Sequence, residues 1–486
     1  MSEQAQAQNQ DQNPNQVQQA QDKNQLPSKD KSHQEWQEAQ NLDKSAAQAK
    51  AQYDAQVQER INRQKMFADQ GQSQEQQIEI PIKNQDKDLQ LPQPFKYEFN
   101  DIDKPIISEA QDFLKSQKPI LDHKIYRRVS DHTLADACAW VFTSPTTIQK
   151  YYYLHPGLAA NDVRIRVMYT GVSRSDSYSA RGLWGPIPYP LCAGQEIVGE
   201  VIATGNSVKN FKVGDKVLYG PIRYSCGTCI YCVQRKTNLC PYTPRFLKDT
   251  FGQFWGGFST HIQQPESHCF KLPDNVEIET APPIVYAGAT AYKPLAAYGA
   301  RGNKLAVIGI GGVGHLAVQI ANKMGIDVDA FCTSFDRDKK DRLIQSLGVK
   351  NLIHWDIEDL KAFEGRYDLV MIAMPGRLDA DQLDKFLKLL KPLGKFILLG
   401  IPPLSQKLSL NCLTVIEKSI EIICVNGGGV MEIQDCINFC SKNGIRPLCE
   451  FYAFDDFPRA LDRMENQHPL FRVVLRVDDF SKKFRR

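Results

Sequence analysis

Long apolar runs are missing from this sequence: none approaches the roughly 18 residues that a membrane-spanning helix needs. The N-terminus lacks the apolar core of a secretory signal, and no arginine precedes Arg60, which argues against a mitochondrial presequence. Charge of one sign is also lacking, because the net charge is only +3 over 486 residues and the basic residues are scattered. We therefore expect a cytoplasmic protein that binds neither membrane nor nucleic acid.

Cysteine is absent from the first 137 residues, and the 13 cysteines lie beyond them. Most of these are isolated in apolar runs, as is typical of reduced core thiols. This group includes Cys269, Cys332, Cys412 and Cys424. A second group of four lies in one loop and predicts a different role.

Large apolar side chains are scarce at the start of the chain, where 23 of the first 80 residues are Gln. Such a segment cannot bury enough surface to offset its ordering entropy. Between Pro27 and Gly71, however, neither Gly nor Pro occurs, and apolar residues recur at roughly helical spacing. The sequence predicts a Gln-rich, low-complexity extension over residues 1–95. It either stays disordered or, through a helix over 31–69, orders on a protein partner.

After a connecting segment over residues 96–133, the sequence changes to patterns that are typical of regular secondary structure. Residues 162–169 alternate apolar and polar side chains, and residues 196–203 and 216–219 continue this pattern between glycine-rich turns. Short strands of this kind indicate a small barrel-like β domain. Between about 300 and 430, apolar runs alternate with helical segments, which is typical of a doubly wound parallel sheet. The predicted class is α/β, with two architectures in one chain.

A glycine loop joins the first strand of the predicted parallel sheet to its helix. It contains Gly309, Gly311, Gly312 and Gly314, in a GxGGxG pattern. In such loops the first glycine permits a tight turn, the second admits a pyrophosphate, and the last packs helix on strand. The loop predicts a dinucleotide-binding fold, and the alternative to retained binding is a loop that only packs.

The end of the next strand predicts which dinucleotide would bind. An NAD site usually carries an acidic residue there for the ribose 2′-hydroxyl. This chain has Cys332, followed by the hydroxyls of Thr333 and Ser334 and the cations Arg337 and Lys339. These residues suit a 2′-phosphate and favour NADP(H). The alternative is that the cations belong to an ordinary solvated start of a helix.

The four grouped cysteines are Cys226, Cys229, Cys232 and Cys240. Their C-x2-C-x2-C-x7-C spacing lets four thiolates close a tetrahedral Zn2+ shell, which leaves no position open for a substrate. The sequence therefore predicts one structural zinc ion in this segment, which we call the cysteine lobe.

These motifs, in this order, resemble the zinc-dependent medium-chain alcohol dehydrogenase superfamily, and most closely its cinnamyl alcohol dehydrogenase branch. The resemblance covers about residues 134–480. Further segments carry it at residues 194–201, 213–217, 394–400, 426–429 and 471–474.

The resemblance implies a domain organisation and an assembly. A GroES-like β-barrel domain is expected over residues 134–283 and 438–480, with a Rossmann domain over 284–437 between its two parts. It also implies a possible homodimer through edge strands of the Rossmann domain.

Members of the family bind a catalytic zinc ion through a cysteine, a histidine and a second cysteine. The matching turns of this sequence place Ser173, Gln195 and Tyr286 at those positions. A hydroxyl, an amide and a phenol bind Zn2+ far more weakly than thiolate and imidazole do. The resemblance therefore implies that the catalytic metal site has been lost.

Other residues of that site are retained or changed. Ser175 corresponds to the proton-relay hydroxyl of the family, and Asp176 and Glu196 to the carboxylates that flank the metal. Arg174 and Tyr178 replace two histidines. Two carboxylates without a cation would be costly in a partly buried cleft, so we expect Arg174 to neutralise them, the alternative being that it points to solvent.

Two functions follow from these features. The first is a non-catalytic scaffold subunit of a larger assembly, cytoskeletal or other, which keeps the structural zinc and docks through its N-terminal extension. The second is a zinc-independent, NADPH-dependent reductase of an enal, enone or carbonyl, in which Ser175 or Tyr178 supplies a proton.

Overall fold

The structure, a computed structural model, describes most of the chain beyond residue 126. It covers residues 127–484 without 131, 186, 188, 242–255, 334–336, 375–377, 401, 406 and 468, and without the side chains of 127, 132 and 337–340. The predicted extension over residues 1–95, its helix over 31–69 and most of the connecting segment lie outside the described residues. Within them, no helix combines the length and apolarity that crossing a membrane requires.

The first part of the fold is built from short strands with two short helices. In chain order these are β1 (Arg127–Val129), β2 (Ala137–Phe142), β3 (Ile148–Leu154), β4 (Asp162–Val172), α1 (Arg174–Ala180), β5 (Glu196–Thr204), β6 (Lys216–Tyr219), α2 (Ile230–Val233), β7 (His261–Pro265) and β8 (Cys269–Lys271). Strands β1, β3 and β2 form a three-stranded antiparallel sheet. Strand β4 is the centre of a larger sheet, since it pairs with β5 and β7.

The second part alternates strands and helices. It comprises α3 (Ala287–Tyr298), β9 (Lys304–Ile308), α4 (Gly314–Lys323), β10 (Asp327–Cys332), α5 (Arg337–Ser346), β11 (Asn351–His354), β12 (Tyr367–Ile372), α6 (Ala380–Lys388), β13 (Leu390–Leu398), α7 (Cys412–Glu417), β14 (Glu421–Cys424) and α8 (Val430–Asn443). All six strands are parallel, in the order β11-β10-β9-β12-β13-β14. This is the order of a dinucleotide-binding sheet, with first strand β9 at its centre.

The chain then returns to the β-rich part. The returning elements are β15 (Cys449–Ala453), α9 (Phe457–Asn466), β16 (Arg472–Arg476) and α10 (Asp478–Ser481). Strand β16 lies antiparallel to β4 and parallel to β15, which completes a seven-stranded sheet. Single-turn 3-10 helices lie at His132–Leu134, Thr237–Leu239, Glu266–His268, Pro282–Val285, Leu360–Phe363, Phe454–Asp456 and Lys482–Phe484.

The predicted α/β class, with a GroES-like domain and a Rossmann sheet, is confirmed. The boundary predicted between residues 437 and 438 falls inside α8, whose buried face shares one hydrophobic cluster with α3 and α4. The expectation of core thiols holds for Cys269 and Cys332, which are buried, but is wrong for Cys412 and Cys424. Those two cysteines are exposed because α7 and the edge strand β14 lie at the surface.

Candidate functional site

The four predicted zinc ligands of the cysteine lobe lie close together. Their sulfur atoms are all within 4.8 Å of one another. The sulfur of Cys226 lies 3.8 Å from that of Cys232 and 3.6 Å from that of Cys240. A tetrahedral shell with Zn–S bonds of about 2.3 Å has S···S edges of about 3.8 Å. The lobe therefore has the chemistry and the spacing that a four-cysteine zinc ion needs.

The cysteine lobe is tied to the Rossmann part of the fold at the start of α8. The Asn238 amide donates to the Asn426 carbonyl at 2.7 Å, and the Val430 N–H donates to the Thr237 hydroxyl at 3.0 Å. Backbone N–H groups, first among them that of Cys229, lower the pKa of Cys226 to about 6. A lowered pKa favours the thiolate, which is the form that binds metal.

Chelation of the lobe ion should lower the stability of the zinc-loaded chain by about 3 to 4 kcal/mol, the linkage expected for an ion held far above its Kd. The reason is that four sulfurs at these distances repel once the cation has gone, and the lobe then releases its contacts with α8. Thermal unfolding with and without a chelator measures the effect. A Cys232→Ser variant should no longer respond to the chelator, whereas the exposed-site control Cys412→Ser should respond fully. Identical melting of the loaded and chelated wild type would contradict a structural role for the ion.

The glycine loop follows β9 and leads into α4. Gly309 has a φ of 90°, and a Cβ on it would lie 2.8 Å from the Cβ of Met374. A Cβ on Gly314 would lie 2.1 Å from the Gly309 carbonyl oxygen, and one on Gly312 would lie 2.7 Å from the Arg472 guanidinium. At Gly311, by contrast, a Cβ would meet nothing within 4 Å. The loop is thus closed on its inner side and open at Gly311, the glycine expected to admit a pyrophosphate.

The residues predicted to hold a 2′-phosphate follow β10. Thr333 is exposed there, and Arg337 and Lys339 lie in the first turn of α5. Ser334 lies outside the described residues, as do the side chains of Arg337 and Lys339. Their phosphate-binding role stays a prediction.

The residues predicted at the degenerate metal site are brought together by a helix start. Ser173 caps α1 through a capping box: its hydroxyl accepts from the Asp176 N–H, and the Asp176 carboxylate accepts from the Ser173 N–H. The Ser-x-x-acid spacing is itself a signal for a helix start. It fixes Ser173 at the end of β4 and turns Ser175 and Asp176 inward.

The polar side chains at this helix start bind one another. The Gln195 amide donates to the hydroxyls of Ser173 and Ser175, at 3.1 and 2.5 Å. The two hydroxyls are 2.8 Å apart, and the Tyr286 phenol hydrogen-bonds to Ser175. Burial raises the pKa of Tyr286 to about 12, so the phenol keeps its proton. We call Ser173, Ser175, Gln195 and Tyr286 the hydroxyl cluster.

Two buried carboxylates flank the hydroxyl cluster. Asp176 accepts from the Ser173 hydroxyl at 2.6 Å and from the Gly194 N–H at 3.1 Å. Burial raises the pKa of Asp176 to about 7 despite these hydrogen bonds. Burial also raises the pKa of Glu196, although that carboxylate forms an ion pair with Arg472 and accepts from the Ala287 N–H. The two carboxylates thus differ in how their charge is compensated: Arg472 supplies a cation to Glu196, whereas Asp176 accepts hydrogen bonds from neutral donors.

The structure contradicts the hypothesis that Arg174 neutralises these carboxylates. Its guanidinium donates instead to the carbonyls of Met464 and Glu465, at 2.9 and 3.3 Å, near the C-terminal end of α9. An arginine there stabilises the negative end of the helix dipole. The other candidate, Tyr178, packs its ring edge-on against Trp184 with centroids 5.8 Å apart.

Arg472 is the residue that the sequence argument missed. It opens β16 and is 276 residues from Glu196 in the chain, so spacing offers no signal for the pair. The Arg472 side chain also lies against Gly312, because a Cβ on that glycine would be only 2.7 Å from the guanidinium. One buried arginine therefore joins the carboxylate behind the hydroxyl cluster to the dinucleotide loop.

Comparisons with known proteins agree with this architecture. Residues 159–274 match the alcohol dehydrogenase GroES-like domain, and residues 312–442 match the zinc-binding dehydrogenase family. Protein REDOX 1 of Catharanthus roseus is 33% identical over 340 residues, which cover 68% of this chain and 93% of that protein.

Solved structures give the same result. A cinnamyl alcohol dehydrogenase of Sorghum bicolor superposes with a TM-score of 0.66 at 27% identity, over 70% of this chain and 97% of its own. The CAD of Helicobacter pylori, solved with NADP(H), has a TM-score of 0.64 at 27% identity, over 73% and 99% of the two chains. With its dinucleotide sheet, GroES-like domain and cysteine lobe, this chain belongs to the zinc-dependent medium-chain alcohol dehydrogenase superfamily.

Proposed function

We propose that this chain is a dehydrogenase-fold subunit that no longer works as a zinc alcohol dehydrogenase and acts as a scaffold within a larger assembly. The observation that carries the proposal is the hydroxyl cluster. At the three positions where the family resemblance places zinc ligands, the chain has a hydroxyl, an amide and a phenol that each hydrogen-bond with Ser175, and the amide also donates to the hydroxyl of Ser173.

These donors do not fit a catalytic zinc ion. Tyr286 would have to lose a proton that burial keeps in place. The neutral hydroxyl of Ser173 and the amide of Gln195 are weak ligands for Zn2+. Without the metal, the Lewis acid that would polarise a carbonyl or an alcohol is missing. Chemistry that needs such a Lewis acid is therefore outside what this site supports.

NADP(H) binding is the second part of the proposal. It is supported by the open backbone at Gly311, by the N-terminus of α4 next to it, and by the cations that follow β10. Bound nucleotide would hold the two domains in a fixed relation, which is useful to a scaffold as well as to an enzyme. The cysteine lobe, with its structural zinc, would do the same at the start of α8.

Replacement of Gly311 by alanine should weaken NADPH binding at least tenfold, or about 1.4 kcal/mol, because the methyl group would occupy the space left for the pyrophosphate. The fold should be unaffected, since a Cβ at this position meets nothing within 4 Å. Titration of NADPH fluorescence measures the affinity. Gly157→Ala is the matched control, because its Cβ also meets nothing within 4 Å. Equal affinities in the two variants would rule out this binding mode.

The scaffold role is tested by removing residues 1–95 and comparing co-purifying proteins from the native source. We expect the full chain to retain partners that the truncated chain loses, while both melt alike. If the truncated chain retains every partner of the full chain, the extension does not dock the protein into an assembly. A screen of alcohols, aldehydes, enals and enones with NADPH and NADP+ tests the other half, and turnover of any of them would overturn a non-catalytic role.

A homodimer through β14 belongs to the same proposal. Among the described strands β14 is an edge of the parallel sheet, and Ile422 on it is 39% exposed. Sedimentation of the full chain should give the mass of a dimer, and a monomer at micromolar concentration would contradict it.

A second candidate function, reduction of an enal, enone or carbonyl by NADPH, is favoured by one specific observation. The hydroxyl cluster continues through Ser173 into Asp176, whose pKa lies near 7. A chain of hydroxyls ending on such an acid can carry a proton to a substrate. Ser175 is the donor that this arrangement supports, and Ser175→Ala should then abolish any turnover found in the screen while leaving NADPH affinity unchanged.

A further inference from the structure

A second group of metal-ligating side chains lies in the Rossmann sheet, apart from the cysteine lobe and the hydroxyl cluster and at the strand end where the 2′-phosphate of NADP(H) is predicted to bind. Cys332 ends β10 and His354 ends β11, and the two residues are direct register partners in adjacent parallel strands. Asp341 lies in α5, the helix that connects these strands. Three consecutive elements therefore bring a thiol, an imidazole and a carboxylate to the carboxyl edge of the sheet, where ligands bind in open α/β folds.

The three side chains are close and largely shielded from water. The sulfur of Cys332 lies 3.6 Å from Nδ1 of His354, and Nε2 of His354 lies 3.1 Å from an Asp341 carboxylate oxygen. Cys332 is 3% exposed and His354 is 7% exposed. One ligand atom from each residue can be chosen so that all three lie within 4.8 Å of one another.

We propose that Cys332, Asp341 and His354 form a second metal site, which binds Zn2+ or Co2+ with one position open. Thiolate, imidazole and carboxylate are the ligand types that zinc takes, and three protein ligands with an open fourth position is the pattern of exchangeable zinc sites. Bonds of about 2.0 to 2.3 Å give ligand–ligand edges of about 3.3 to 3.8 Å in a tetrahedral shell. The 3.6 Å separation of the sulfur and Nδ1 already fits such an edge.

The carboxylate is the ligand that completes the shell. Asp341 is the most accessible of the three, with 22% of its side chain exposed, and it projects from a helix rather than from the sheet. The three ligand atoms already lie within 4.8 Å of one another, and rotation of the Asp341 side chain toward the imidazole nitrogen that binds the ion would bring them to tetrahedral spacing. The rigid pair is thus supplied by two strands and the adjustable ligand by α5.

The site is distinct in kind from the cysteine lobe. Four thiolates hold zinc tightly and permanently, whereas one thiolate with two other ligands and an open position holds it more weakly. As purified, the full chain should therefore contain the lobe ion, and the second site should fill only when metal is added. Cobalt is the suitable probe, because thiolate-bound Co2+ absorbs strongly and zinc does not.

The test is a titration of the zinc-loaded full chain with Co2+, followed by absorption and by metal analysis after desalting. We expect one additional equivalent of Co2+ with a thiolate-to-cobalt charge-transfer band. The band should disappear in Cys332→Ser, and affinity should fall at least about tenfold in His354→Gln and in Asp341→Asn. The exposed-cysteine variant Cys412→Ser should bind as the wild type does. Circular dichroism establishes that each variant is folded.

Three results would overturn the proposal. The first is the absence of an added equivalent in the wild type, which would make the three residues a hydrogen-bonded chain only. The second is a band that persists in folded Cys332→Ser, which would place the cobalt in the lobe by exchange. The third is unchanged affinity in both His354→Gln and Asp341→Asn, which would leave a lone thiol as the binding group.

Discussion

Replacement of Arg472 by methionine should destabilise the chain by about 3 to 5 kcal/mol, the cost of leaving a buried charge without its partner. Glu196 has no exposed surface, and its carboxylate forms an ion pair with Arg472 and accepts from the Ala287 N–H at 3.3 Å. Methionine preserves most of the buried volume of the arginine stem, so the loss reports on charge rather than on packing. Urea unfolding at neutral pH measures the difference in free energy.

The matched control is Arg174→Met, because Arg174 is the arginine that the sequence favoured for this role. Its guanidinium binds two backbone carbonyls near the end of α9, and such hydrogen bonds are worth about 1 to 3 kcal/mol. The double variant Glu196→Met/Arg472→Met should be less destabilised than the sum of its single variants, since removing both charges leaves neither unpaired. Equal losses for the two arginines, with strict additivity in the double variant, would contradict the ion pair.

The contrast between these two arginines shows where sequence reasoning succeeds in this protein. Local patterns predicted what depends on local geometry: the strand of residues 304–308, the glycine loop and the four-cysteine lobe. Each of these lies within about 15 residues of chain, where spacing determines which groups can meet. The strand and helix alternation likewise predicted a parallel sheet, because a short apolar run between helices is buried on both faces.

What sequence could not predict depends on how distant strands pair. Arg472 meets Glu196 because β16 lies beside β4 and β4 lies beside β5, a relation that spacing does not encode. Cys332 meets His354 for the same reason, through the register of β10 and β11. Arg174 was expected to neutralise Asp176 because it replaces a histidine of the metal site, yet in a helix residues two apart point to different sides. The capping box at Ser173 can be recognised from its Ser-x-x-acid spacing in the sequence, and that spacing predicts this orientation.

The difference in unfolding free energy between the wild type and Asp176→Asn should change by about 4 kcal/mol between pH 4 and pH 8. The pKa of Asp176 is raised from 3.8 to about 7 in the folded chain, mainly by burial, and each pKa unit is worth about 1.4 kcal/mol. A raised pKa means that the folded state holds the proton more tightly than the unfolded state. The stabilising contribution is therefore complete below about pH 4 and is lost as the pH rises through 7.

Asparagine does not titrate, so the unfolding free energy of Asp176→Asn should rise relative to that of the wild type as the pH rises across this range. The amide cannot accept from both the Ser173 and Gly194 N–H groups, which adds a fixed loss of about 1 to 3 kcal/mol at every pH. Only the slope therefore reports the pKa. Asp384→Asn is a control of opposite sign: burial alone would raise the pKa of Asp384, but hydrogen bonds from Lys388 and Thr414 outweigh it and lower the pKa. The unfolding free energy of Asp384→Asn should therefore fall relative to the wild type as the pH rises from the acid range. If the difference between the wild type and Asp176→Asn does not change with pH, the Asp176 carboxylate is ionised at the edge of the hydroxyl cluster.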